Sequence, residues 1–529
     1  MTMKRRRDEI PAWDAKAAAH LLSRAGFGGT PEEVGELAAL SLDEAVDRLL
    51  DESAKAPAPA QPDWVKDPWV NTERRFADTP REVAAEAHRT TRRRYGAELN
   101  ELRSWWLGYM ITTSHPLREV LTLFWHGHFA TATSKVNISQ AIYQQNATLR
   151  RNALGNFRTL LRDVAVDPAM MMYLDLEGSD KAKANENFAR ELYELFTLGI
   201  GHYTENDIKA TARALTGWTL DAPRGMAKTR SSAPDTPRDF ARDGLVPTFI
   251  PERHDAEVKT IFGETGRFEL DDVVAIVSRQ PATARFLVGK LIDFFGTVDP
   301  QGELRERMAL TFQATRGEIR EVLRVLFTAP EFYSDASRGS QIKSPIRLLV
   351  GACRQLKLDV RATPSLAQLT ASMGQDLFNP PNVKGWPGGK TWIGAGTLAV
   401  RYHLADALLE GKEPTGLEPL GSNRFLAFPR DATQGSAMVA RIESSRAERR
   451  AERQKEGLKC RFKVDALYPQ GAPADPAALV DDLLRRLVVT TVRPSARETL
   501  ITACVDTTPA DRPALVARLI LTSPEYQLA

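Results

Sequence analysis

Cysteine is scarce in this chain. Only three occur in 529 residues. Cys353, Cys460 and Cys504 are far apart, odd in number and lack metal-ligand spacing, so they read as reduced thiols rather than a disulfide framework. Long apolar runs are missing too: no stretch of about 18 apolar residues occurs, so no membrane insertion is expected. Charge of one sign has almost no excess, since 71 basic residues face 68 acidic ones. That balance argues against a nucleic-acid surface. The basic start Met1 to Arg7 is followed by Asp8-Glu9 instead of an apolar segment, so no export signal is read and a cytoplasmic location is the expectation. Strand signals are also few: alternating runs bounded by Asn-Gly or Asp-Gly turns are nearly absent.

Helix signals, by contrast, are dense. Thr30 to Glu33, Ser41 to Glu44, Thr204 to Asp207 and Ser365 to Gln368 fit capping boxes or close variants, and apolar residues recur every three to four positions. The expected fold class is all-α: a large multi-helix array of helical hairpins with long irregular loops and little or no sheet. The expected organisation is N-terminal helices over 1–52 and a Pro/Ala linker or loop over 53–62. A central helical core over 63–220 and an irregular excursion over 221–268 follow. A second helical half over 269–408, a poorly ordered insertion over 409–475 and C-terminal helices over 476–529 complete one continuous unit. The charge run from Arg441 to Glu456 reads as a solvated helix or a disordered insertion.

One internal echo stands out. Gly155-Asn156-Phe157-Arg158-Thr159-Leu160-Leu161-Arg162, followed by Pro168, matches Gly317-Glu318-Ile319-Arg320-Glu321-Val322-Leu323-Arg324, followed by Pro330, without a gap. The tail of the second copy, Arg324 to Phe332, returns as Arg518 to Tyr526. Shared helix-stop chemistry at proline explains part of this. The gapless match points to duplicated helical units.

The chemistry-bearing segment is Ser114 to Phe129, which holds three of the eight histidines. Leu117, Leu121, Phe124 and His128 share one helical stripe, so His128 needs a partner in a core position. His126 and His128 are the candidate ligands of a divalent metal. They can chelate together only if Gly127 breaks the helix; on a regular helix positions i and i+2 point apart. In that case His126 shares a face with Glu119 and Thr122.

A second segment runs from Asn185 to Gly199, with Phe188, Leu192, Leu195 and Phe196 as its apolar stripe and Gly199 as its stop. Glu186, Arg190 and Glu194 lie on the far face, readable as a surface ion-pair ladder. Glu191 sits at the margin of the stripe and is the candidate general base. His254 and Asp255 follow the irregular excursion and are further catalytic candidates, one able to orient what the other contacts. The loop from Asn379 to Trp392 packs three prolines, three glycines and two tryptophans into a rigid, non-helical stretch that serves as a lid, a stacking platform or a plug between helices. Arg190, Trp218, Asn379 and Trp386 are the candidate substrate contacts.

Three readings follow. The first is a helical protein with one polar, metal-dependent, hydrolase-like site. The second is a non-enzymatic scaffold that binds a protein partner, and the third is a saccharide-binding protein using Trp386 and Trp392.

Taken together, Ala18 to Gly28, His115 to Arg118, Phe124 to Phe129, Asn185 to Gly199, Ala214 to Trp218, His254-Asp255 with Lys259, and Asn379 to Gly389 resemble, in this order, the motifs of the bacterial family called domain of unknown function 1800. The resemblance covers nearly the whole chain and implies no established activity. It also implies a companion, since members are commonly encoded beside a sulfatase-like protein. Members often carry an export signal, which is not read here, so the cytoplasmic expectation departs from the family.

Overall fold

The computed structural model describes residues 13–67, 80–220, 246–411 and 458–529. The expectations for Met1 to Arg7, for residues 221–245 of the excursion and for the Arg441 to Glu456 charge run lie outside these residues. Within them the fold is all-α. Strands form only three two-stranded antiparallel sheets: Trp218–Leu220 with Pro247–Phe249, Lys259–Ile261 with Glu264–Gly266, and Asp359–Val360 with Cys460–Arg461. The last of these brings Cys353 and Cys460 together as free, buried thiols. Among the described residues no helix is long and apolar enough to cross a membrane.

Local signals set the helix starts. Thr30, Ser41 and Thr204 each close a capping box with the acid three residues on. Ser365 does not cap: Thr363 does, because Pro364 takes the first helical position, where its missing N–H costs nothing.

The echo seen in the sequence falls within two runs of four helices in the same order. The first comprises helices Pro116–His128, Ser139–Arg151, Phe157–Ala165 and Pro168–Tyr173. The second repeats them as Pro281–Phe295, Glu303–Ala314, Ile319–Phe327 and Pro330–Tyr333. A third run, Pro476–Leu487, Pro494–Val505 and Arg512–Thr522, ends on the same proline stop. In each amphipathic third helix the apolar stripe is driven inward; Phe157, Leu160, Leu161 and Val164 are buried, each stabilising by about 1.5–3 kcal/mol.

The first two units meet through reciprocal backbone bonds. Phe157 N–H donates to Gly317 O (2.8 Å), and the equivalent Ile319 N–H donates to Gly155 O (3.1 Å). Exchanging the units exchanges these bonds. Gly317, at φ +94°, makes the left-handed turn this approach requires. The first helices of the two units pack antiparallel, with Phe124 against Phe294 at 5.1 Å and Lys290 reaching His128.

That arrangement puts the Pro116–His128 helix at the centre of the molecule. From Leu117 to His126 every residue is buried, so the face carrying Glu119, Thr122 and His126 is as enclosed as the apolar one. Glu119 is neutralised there by Arg150, whose Nε and Nη2 donate at 2.8 and 2.9 Å, while Trp106 Nε1 donates at 2.8 Å.

Candidate functional site

The helix beginning at Glu186 changes character part-way. Residues Glu186–Glu191 are α-helical, and Leu192–Thr197 continue as a wider π-turn. The turn closes through Leu198 and Gly199 N–H on Tyr193 O, at 2.8 and 3.0 Å. A helix end leaves its last carbonyls without backbone partners, and π-turns recur at functional positions. Here buried cations and rings from other segments take up the slack. His128 Nε2 donates to Phe196 O at 3.0 Å, and Lys290 Nζ donates to Leu195 O at 3.2 Å.

These contacts fix the protonation of His128. A carbonyl only accepts, so Nε2 carries the hydrogen and Nδ1 is the lone-pair nitrogen that accepts from Lys290 Nζ at 3.2 Å. Burial, reinforced by the Lys290 charge, pushes the imidazole far below its usual range. Burial likewise brings Lys290 down to about 8.

His126 is held the opposite way. Its Nε2 accepts from Phe378 N–H at 3.0 Å, so the hydrogen sits on Nδ1. Trp106, Phe378 and Trp386 surround the ring at 5.5, 5.2 and 5.4 Å, and burial lowers its pKa to about 3. The helix runs unbroken through Gly127, so the two imidazoles point to different faces and are not brought together as a chelating pair. Among the described residues, no group of three or more His, Cys, Asp or Glu is arranged to hold a metal ion.

Gly127 has a different use. The tryptophan loop comes so close that a Cβ on Gly385 would lie 2.1 Å from Gly127 O; Gly385, at φ +76°, avoids the clash. The loop is anchored at its start, where Asn379 Nδ2 donates to Asp376 Oδ2 (3.1 Å) and Arg103 Nε donates to Asp376 Oδ1 (2.9 Å). Trp386 lies half-buried on the His126 ring, whereas Trp392 is buried.

The same loop carries Lys384 into the field of Glu191. Glu191 is half-buried, and its carboxyl is raised above the ordinary range, first by desolvation and then by Glu194, against the opposing pull of Lys384 and Arg190. Tyr173 feels the same carboxylate. Glu191 is thus within electrostatic reach of Glu194 and of Lys384, and Trp386 of the same loop as Lys384 packs on His126. Arg190 turns away: it pairs with Glu205 on the next helix through two bonds of 2.8 Å, not with its own helix's Glu186 and Glu194.

His254 and Asp255 stand apart from this group. His254 Nδ1 donates to Thr216 O (3.0 Å), and Asp255 takes Arg213 Nε and Nη2 at 2.6 and 3.1 Å, with Lys259 beside it. Trp218, half-buried, packs on Phe249 in the small sheet next to them. Among the described residues, His254 and Asp255 bond to Thr216, Arg213 and Lys259, and His254 packs on Phe249. This cluster braces the segment that follows the excursion.

Sequence reasoning missed Lys290 and Arg150. Lys290 lies on an apolar helix, and its only signal is that it is the lone charge between Arg285 and Asp293. Arg150 looks like any basic residue in a helix's last turn.

A family model described as "Protein of unknown function (DUF1800)" matches residues 20–528. No curated protein and no solved structure matches the chain.

Proposed function

The chain belongs to the DUF1800 family, and from this premise we propose that it acts on a polar organic molecule held between Glu191 and the face of Trp386, with Glu191 as the proton-transferring group of a hydrolysis. The observation that supports the reading is a half-buried carboxylate, Glu191, within electrostatic reach of Lys384, on the same loop whose Trp386 packs on the His126 ring. A carboxylate with a raised pKa is a better base than a solvated one. Glu191 would take a proton from water as the water oxygen bonds to the substrate's electrophilic centre. The bond to the leaving group then breaks, and the proton passes to that group. Lys384 supplies positive charge where the oxyanion develops. The proposal gives no role to a metal at His126 and His128, whose Nε2 atoms are spent on Phe378 N–H and Phe196 O.

The test is turnover of p-nitrophenyl esters, phosphates and glycosides. One class is expected to be hydrolysed, with Glu191→Gln lowering kcat by about 100-fold or more and Trp386→Ala acting mainly on KM. Wild-type turnover is expected to fall as pH drops through the raised Glu191 pKa, because the base becomes protonated. No turnover of any class, or an undiminished Glu191→Gln, contradicts the proposal.

A second reading, a framework that docks a protein partner, draws on the recurrence of the helical unit, since stacked units make broad surfaces. The saccharide reading is reduced to one platform, because Trp392 is buried and only Trp386 offers a face.

A further inference from the structure

At the other end of the Pro116–His128 helix, about 12 Å from His126 along the helix axis, lies a cavity of about 470 Å³. Its walls come from two sources. One is the Pro/Ala segment with Ala56, Ala58 and Pro59; the other is the helix pair carrying Arg118, Arg150 and Arg151. The segment read from sequence as a linker or loop thus forms one wall of it. Arg118 donates to the carbonyls of Ala56 and Pro57, and Trp105 Nε1 donates to Ala60 O at 2.8 Å.

The charge of this cavity is one-sided. Among the described residues, three guanidiniums line it and no carboxylate does. Glu119, behind Arg150, is bound by that residue and also lies 3.8 Å from Arg118, so one carboxylate is shared between two guanidiniums. Arg118 is nearly buried, yet its bonds go to neutral acceptors, two carbonyls and Tyr109 OH, and its Nε donates to nothing, 3.8 Å from Glu119 Oε1. Arg151 meets Asp163 only at 3.5 Å and is largely exposed. A low-dielectric pocket with excess positive charge concentrates anions, and guanidinium forks match oxyanions in geometry. Apart from Ser53, the remaining lining, Ala54, Leu154 and the Tyr143 ring among it, is apolar or aromatic.

We propose that this cavity is a binding site for a small organic oxyanion, a phosphate monoester or carboxylate whose charged end meets Arg118, Arg150 and Arg151 and whose apolar part lies against Tyr143 and the Pro/Ala wall. The site is separate from the Glu191 site, and neither proposal depends on the other.

Titration calorimetry with phenyl phosphate, benzoate and uncharged phenol tests it on the full chain. Saturable binding of one or both anions at one site per chain is expected, with phenol inert. Phenyl phosphate bound more tightly than benzoate assigns a phosphate ligand; the reverse order assigns a carboxylate. Arg150 is avoided because its loss strands Glu119. Arg151→Ala, at an exposed position, is expected to weaken binding about tenfold, and Ala147→Phe, which fills the cavity from the Ser139–Arg151 helix, to abolish it with the melting temperature kept. Absence of saturable binding, equal binding of phenol, or binding unmoved by both variants overturns the proposal.

Discussion

Asp167 caps the Pro168–Tyr173 helix with a carboxyl that is wholly buried. Its Oδ1 accepts from Ala169 and Met170 N–H at 3.0 and 3.2 Å, while Oδ2 has no partner. Desolvation outweighs these bonds and pushes the pKa from 3.8 up to about 7. A folded-state value above the unfolded one means that the group's contribution is fully present below about pH 4 and is lost as pH rises through 7. Asn keeps the cap without the charge. Asp167→Asn is therefore expected to be more stable than the wild type at pH 8 by about 1–4 kcal/mol, and to lose that advantage at pH 4, as read from urea unfolding at both values. An equal effect at the two pH values contradicts the assignment. The buried histidines work in the opposite sense. His20 and His126 fall from 6.5 to about 3, so their stabilisation is present above 6.5 and disappears as pH drops towards 3.

Among elements, the Pro116–His128 helix shows most clearly what a sequence pattern conveys and what it hides. The apolar stripe of Leu117, Leu121 and Phe124 and the core position of His128 were legible, because periodicity reports which residues share a face. That the opposite face is buried too was not legible, since Glu119 and Thr122 look like solvent-facing residues until Arg150, 31 positions away, is placed on them. The π-turn at Leu192–Thr197 was equally hidden: it depends on His128 and Lys290 capturing its last carbonyls, and both come from other elements. The buried ion pair has a measurable consequence. Arg150→Met should destabilise the protein by about 3–5 kcal/mol, because it strips both short guanidinium bonds from the buried Glu119 carboxylate and leaves it Trp106 Nε1 and the more distant Arg118, and adding Glu119→Leu should restore much of that loss. Chemical denaturation of the two variants decides it; a cost below about 1 kcal/mol for Arg150→Met would mean the pair is not buried as described.

For the whole molecule, the all-α class and the echo were readable, since capping boxes, proline stops and a gapless match are local properties of the chain. The reciprocal apposition of the units was not, because it rests on backbone bonds between residues about 160 positions apart, Phe157 with Gly317 and Ile319 with Gly155. The candidate site was half legible. Trp386 packs on His126 and its loop carries Lys384 within electrostatic reach of Glu191, while His254 and Asp255 are held by Thr216 and Arg213. What separates the two outcomes is the tryptophan loop, whose Gly385 docks on Gly127 and so ties the first unit to residues more than 250 positions later. The central claim is that both imidazoles are spent on the framework: Phe378 and Trp386 engage His126, and Phe196 O with Lys290 engages His128. Long-range nitrogen–proton NMR of the histidine side chains at pH 5 tests it most directly. The expected spectrum shows His126 and His128 both neutral and in opposite tautomers, Nδ1–H for His126 and Nε2–H for His128, unchanged by added zinc. Imidazolium signals, matching tautomers or a zinc-induced shift of both rings would contradict it.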